Sequence, residues 1–125
     1  MASQNLPVCV VEDNNSIRKL FCALLNKGGF ATVEFANGQT ALDWLQTNEA
    51  QLVIVDILLP DINGTEILQS VRRLKHGEKM PLVAITGFAH ANDREKYLNM
   101  GFNDYIAKPI NVPTFVEQVK QIINK

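Results

Sequence analysis

LVIVDILLPDING, Leu52 to Gly64, decides the fold: four apolar residues run unbroken into Asp56, and Pro60 and Gly64 follow four and eight positions after it. A strand with one wet face alternates polar and apolar residues, so a continuous run rich in Val and Ile marks a strand covered on both faces, as in a parallel sheet. The proline and glycine then turn the chain. What needs explaining is the aspartate, a costly residue to place at the end of a buried strand.

Outward from this stretch the same kind of run recurs: LPVCVV (6–11), ATVEF (31–35), LVAI (82–85) and YIA (105–107). Four of the five runs are continuously apolar. Between them the apolar spacing changes to that of helices. Ile17, Leu20, Phe21, Leu24 and Leu25 form one stripe, with Asn14 or Asn15 as N-cap and Lys27–Gly29 as its end. Ala41, Leu42 and Leu45 mark a second helix after Asn37–Gly38, and Ile67, Leu68, Val71 and Leu74 a third after Asn63 and Gly64. Val112, Phe115, Val116, Val119, Ile122 and Ile123 form a closing helix capped by Asn111. The fourth, Asn92 to Met100, offers only Tyr97, Leu98 and Met100 as larger apolar residues and is expected to be the least firmly held. Strands alternating with helices through short loops predict an α/β fold, a parallel sheet between two helical layers, with the whole chain, 1–125, as one domain.

The chain has 125 residues, 46% of them hydrophobic, enough for one well-buried core. Lys plus Arg number 12 and Asp plus Glu 13, so no positive excess exists to hold nucleic acid, and no direct nucleic-acid partner is expected. Apolar runs are too short to span a bilayer and MASQNLP lacks the features of a signal peptide, so no membrane insertion and a cytoplasmic location are expected. Cys9 and Cys22 lie in a strand-like and a helix-like stretch without metal-ligand spacing and are expected to be buried free thiols.

Parallel strands deliver their carboxyl ends to one edge, where ligands of open α/β sheets bind. That edge collects Glu12 and Asp13 from the first strand, Asp56 from the third, Thr86 and Gly87 from the fourth, and Lys108 and Pro109 from the fifth. Each alone reads equally well as a cap or a solvated end. Together they pose an electrostatic problem, because unit charges about 4 Å apart repel by roughly 4 kcal/mol at an effective dielectric of about 20. Lys108 offsets one of three negative charges. A divalent cation with oxygen ligands offsets two more; a few carboxylates, a carbonyl and waters suit Mg2+, and the absence of His or Cys argues against zinc. A metal held this way leaves positions open for phosphoryl oxygens, which makes Asp56 a nucleophile toward phosphorus with Lys108 and Thr86 as its phosphoryl-binding partners.

VVEDN (10–14), DILLPDING (56–64), AITGFA (84–89) and DYIAKPI (104–110), in that order, resemble the receiver domain of two-component response regulators across essentially the whole chain. The resemblance implies a flavodoxin-like (βα)5 sandwich with strand order 2-1-3-4-5. It implies that Asp56 accepts phosphate from a phosphohistidine, that Asp13 and Asp56 bind Mg2+ directly with Glu12 acting through water, and that the backbone carbonyl of Leu58 completes the protein ligands. Thr86 and Lys108 would hold the phosphoryl group, Tyr105 would turn inward as Thr86 moves, and the Lys108–Pro109 peptide would be cis. Partners implied are a histidine kinase or histidine phosphotransfer protein and a downstream protein target reached through the face formed by helix four, strand five and helix five. The family includes single-domain receivers and receivers of hybrid histidine kinases, and the sequence fits both. No DNA-binding or enzymatic output segment is recognised, so the output is expected to pass through another protein. The chain is expected to assist only its own phosphorylation and dephosphorylation.

Leu58 and Phe88, two places after Asp56 and Thr86, are apolar where polar residues can orient a hydrolytic water, so slow self-dephosphorylation is expected. Trp44 is expected to pack away from the acidic edge, and His76 and His90 to be solvated rather than phosphodonors. Two rival readings fare worse. An aspartyl phosphohydrolase typically needs a second acid where Leu58 stands, and a nucleotide or flavin module needs small residues where Glu12 and Asp13 would repel phosphate.

Overall fold

Five strands and five helices alternate along the described residues, 6–87 and 93–124, of the computed structural model. They are β1 (Val8–Val11), α1 (Asn15–Lys27), β2 (Thr32–Phe35), α2 (Gly38–Leu45), β3 (Leu52–Asp56), α3 (Gly64–Arg73), β4 (Leu82–Thr86), α4 (Asp93–Met100), β5 (Asp104–Ala107) and α5 (Val112–Ile123), with a 3-10 turn at Lys75–Gly77. All strand pairs are parallel and the order is 2-1-3-4-5, the flavodoxin-like arrangement.

The continuous apolar runs have a simple cause. Val8, Val10, Leu52, Ile54, Val83 and Ile85 face one core with Phe21, Leu25, Phe115 and Val119 of α1 and α5. Cys9, Val11, Val53, Val55, Leu82 and Ala84 face the other, with Leu42, Leu45, Ile67, Leu68 and Val71 of α2 and α3. Alternate side chains thus enter opposite layers, and both layers are built of buried apolar side chains. Burying each such side chain contributes about 1.5–3 kcal/mol relative to leaving it exposed, so β1, β3 and β4 are the most strongly held strands. β2, at the sheet edge, is only half-buried, which explains why Glu34 can interrupt its run. Cys9 and Cys22 are buried free thiols, as expected.

Helix starts follow the side-chain chemistry. Asn14, not Asn15, caps α1 by accepting from Ile17 N at 3.0 Å, Asn37 caps α2 through Thr40 N at 3.0 Å, and Asn63 caps α3 through Thr65 N at 2.9 Å. Asn111 occupies the cap position of α5, but its side chain makes no capping bond; Pro113 in the first turn removes one N–H that would otherwise need an acceptor. Leu74, expected to extend the third stripe, ends α3 in an extended conformation. Trp44 packs on Phe35, ring centroids 5.9 Å apart.

His76 departs from the sequence reading. Rather than lying in solvent it is half-buried, with Nε2 2.7 Å from the carbonyl oxygen of Leu45. A carbonyl only accepts, so Nε2 carries the proton. Leu45 ends α2, where carbonyls lose their intrahelical donors, and the imidazole supplies one. His90, Phe88 and Asn92 lie outside the described residues.

Candidate functional site

Parallel register assembles the site. Val11 lies beside Val55, Asp56 beside Ile85 and Thr86 beside Ala107, so Glu12, Asp56, Thr86 and Lys108 all emerge at one edge. Glu12 and Asp56 are buried, 1% and 5% exposed, whereas Asp13 is exposed. One carboxylate oxygen from each of Glu12, Asp13 and Asp56 lies within 4.8 Å of the others, the spacing of ligands around a single ion.

Lys108 is the counter-charge on the protein side. Its Nζ donates to Asp56 Oδ2 at 2.9 Å and pairs with Glu12 Oε1 at 2.5 Å. The second contact is a charge pair without hydrogen-bond alignment, which leaves Glu12 Oε1 buried and without a hydrogen-bond donor. Glu12 Oε2 accepts from Asn14 N at 3.1 Å, and Asp56 Oδ1 from Leu58 N at 3.0 Å. Burial pushes the Glu12 carboxyl above its ordinary range, and the contacts with Lys108 and Asn14 only partly reverse this. For Lys108, burial is the largest influence and acts downward, but the contacts with Glu12 and Asp56 together outweigh it and hold the ammonium above its usual pKa. Lys108 therefore stays charged at neutral pH and cannot alone neutralise three acids.

The donor set fits a hard divalent cation. It consists of oxygen only, one buried carboxylate oxygen lacks a hydrogen bond, and the carboxylate of Asp13 has no hydrogen bond or ion pair among the described residues. Few protein ligands and an open exposed side suit Mg2+, which keeps several waters, better than a closed cage.

The loop after β3 is built to hold Asp56 in place. At Gly64 a Cβ would meet the Asp56 carbonyl oxygen at 2.7 Å and Ile57 Cα at 2.9 Å, so α3 can begin this close to the strand only with glycine; this is the physical reason for Gly64 eight residues after Asp56. Leu58 bridges to Asn63 across the loop, and Asp61 accepts from Gly38 N at 2.9 Å and Gln39 N at 2.8 Å, tying the loop to the start of α2. The Leu58 side chain is 50% exposed.

Thr86 is buried at the end of β4, 2% exposed, and the Lys108–Pro109 peptide is cis. Tyr105 stacks on Tyr97 of α4 with centroids 5.6 Å apart; its hydroxyl is buried and has no hydrogen bond among the described residues. A concavity of about 430 Å³ lined by Leu6, Phe30, Gln51 and Lys120 lies at the opposite, amino edge of the sheet and gathers no comparable cluster.

Sequence reasoning missed Arg18. It stands at 8% exposure among the buried positions of α1, with Phe21, Cys22 and Leu25 three, four and seven residues on. A charged residue inside a core stripe was the available signal.

Comparison with known proteins agrees with this geometry. The sequence model of the response regulator receiver domain matches residues 8–120. The polar-differentiation response regulator DivK of Brucella anthropi is 35% identical over 116 residues, 93% of this chain and 94% of that protein. Among solved structures, a putative response regulator from Chloroflexus aurantiacus superposes with a TM-score of 0.88 at 26% identity, covering 96% of this chain and 98% of that one. The receiver domain of the sensor histidine kinase PA1611 from Pseudomonas aeruginosa, solved with a magnesium ion coordinated in its active-site cleft, superposes at 0.86 with 26% identity, covering 97% and 99%. With four motifs, strand order and acidic edge all in agreement, the chain belongs to the response regulator receiver domain family.

Proposed function

We propose that this protein is a phosphorylatable signalling switch in which Asp56 accepts a phosphoryl group from the phosphohistidine of a histidine kinase or histidine phosphotransfer protein. The observation that carries the reading is the buried Asp56 carboxylate, held by Lys108 Nζ at 2.9 Å within 4.8 Å of ligand oxygens of Glu12 and Asp13. A carboxylate oxygen of Asp56 attacks phosphorus, the P–N bond of the donor breaks, and the imidazole nitrogen leaves with the electron pair. Asp13 and Asp56, with Glu12 through water and the Leu58 carbonyl, would hold Mg2+, which when bound spreads the charge of the phosphoryl oxygens. Lys108 exchanges part of its contact with Asp56 for a phosphoryl oxygen, and the Thr86 hydroxyl donates to another. The acyl phosphate carries about two negative charges and three acceptor oxygens where the carboxylate carried one charge, enough to reset these bonds.

Movement of Thr86 is read out through Tyr105 and the α4–β5–α5 face, which then binds a downstream protein or permits onward transfer. The chain acts on no separate substrate, and its setting is the cytoplasm. Phosphoramidate, a small donor with a P–N bond, provides the test. With Mg2+ it is expected to add one phosphoryl group per chain, seen by intact mass, and a chelator is expected to abolish the addition; addition that survives chelation contradicts the reading.

A further inference from the structure

Resting on that reading of the acidic edge, we infer that Arg18 is a positioning residue for the metal site: its guanidinium fixes the Glu12–Asp13 peptide and so aims the exposed Asp13 carboxylate. The guanidinium serves three acceptors on three parts of the fold. NH1 donates to the Glu12 carbonyl oxygen at 2.9 Å, Nε to Glu34 Oε1 on β2 at 2.9 Å, and NH2 to Asn15 Oδ1 at 2.6 Å.

The need for such a clamp follows from what surrounds it. Glu12 is held at its N–H by the Phe35 carbonyl of β2 at 3.1 Å and at its side chain by Asn14 N and Lys108. Asp13 has no side-chain partner among the described residues, so its direction depends on the peptide that precedes it. The carbonyl of that peptide is held by Arg18 NH1. Glu34 in turn holds the guanidinium: Lys19 and Arg18 both bond to it and keep its carboxyl below the ordinary range, so the acid is ionised at neutral pH. A planar fork can serve three acceptors at fixed angles; a lysine ammonium on its flexible stem is a point charge and cannot replace it.

The same three bonds could merely hold α1 to β2, so the test must separate aim from stability. Mg2+ affinity is measured by isothermal titration for wild type, Arg18→Met and Arg18→Lys, alongside urea midpoints. Loss of groups that orient ligands typically weakens metal binding 10–100-fold. Arg18→Met is expected to weaken Mg2+ binding about tenfold or more, and Arg18→Lys at least about threefold. The rate of phosphorylation by phosphoramidate at saturating Mg2+ is expected to stay close to wild type, with only the half-saturating Mg2+ concentration raised. Should Arg18→Met fail to fold, the Lys variant decides alone. Unchanged Mg2+ affinity beside a lowered urea midpoint overturns the inference and leaves the proposed function standing, whereas failure of wild type to bind Mg2+ overturns both.

Discussion

Glu12 shows how a functional group works against the fold that carries it. Its carboxyl is 1% exposed and its pKa is raised, with burial as the first cause, so the native state holds the proton more tightly than the unfolded chain does. Between the ordinary glutamate pKa of about 4.3 and that raised value, folding takes up a proton, and stability from this group falls as pH rises through the window. Lys108, also raised, contributes stability that is present at neutral pH and lost only as pH climbs past its ordinary range near 10.4. Replacing Glu12 with Gln keeps an acceptor for Asn14 N and removes the disfavoured charge. In metal-free protein at pH 7, Glu12→Gln is expected to be more stable than wild type by roughly 0.5–2 kcal/mol in urea, with the difference vanishing below about pH 4. The same variant is expected to gain less stability from added Mg2+; a destabilised variant at pH 7 contradicts this account of the site.

At the scale of elements, α4 differs from its neighbours. It buries Asp93 and Tyr97, whereas α5 buries Phe115, Val119 and Ile122, and Leu98 and Met100 of α4 are exposed at 36% and 47%. An element with so few buried apolar contacts opens locally at low cost. The Tyr97–Tyr105 stack joins it to β5, so the proposed shift of Tyr105 would disturb that contact. Amide exchange in α4 is therefore expected to be at least about tenfold faster than in α1 and α5, and to slow when beryllofluoride and Mg2+ occupy the site. Exchange in α4 as slow as in α5, or unchanged by beryllofluoride, removes α4 from the switch. The sparse burial of α4 was legible in its sequence because few apolar residues leave few ways to bury it. By contrast, Arg18 showed in the sequence only as a charge inside a core stripe; its role was not legible, since three acceptors drawn from the end of β1, from α1 and from β2 come together only after folding. His76 escaped for a similar reason: its partner is a carbonyl thirty-one residues away.

Across the whole molecule, the parallel sheet was readable because each continuous apolar run supplies two cores at once, whereas the strand order came only from the family resemblance; the acidic edge was readable because an acid that ends such a run has no use in packing. Asp56 stands next to Val55, which is fully buried, and only the sheet edge brings Lys108 to it from fifty-two residues away. Lys108 and the acidic pair at 12–13 converge on that side chain, and the glycine at 64 lets the chain close against its backbone carbonyl. The most direct test is to treat the protein with phosphoramidate and Mg2+, reduce with borohydride, and locate the reduced residue by peptide mass spectrometry. An aspartyl phosphate at position 56 predicts homoserine in place of Asp56 and nowhere else, with no reduced residue in Asp56→Asn. A phosphorylated chain in which Asp56 survives borohydride unchanged contradicts the account.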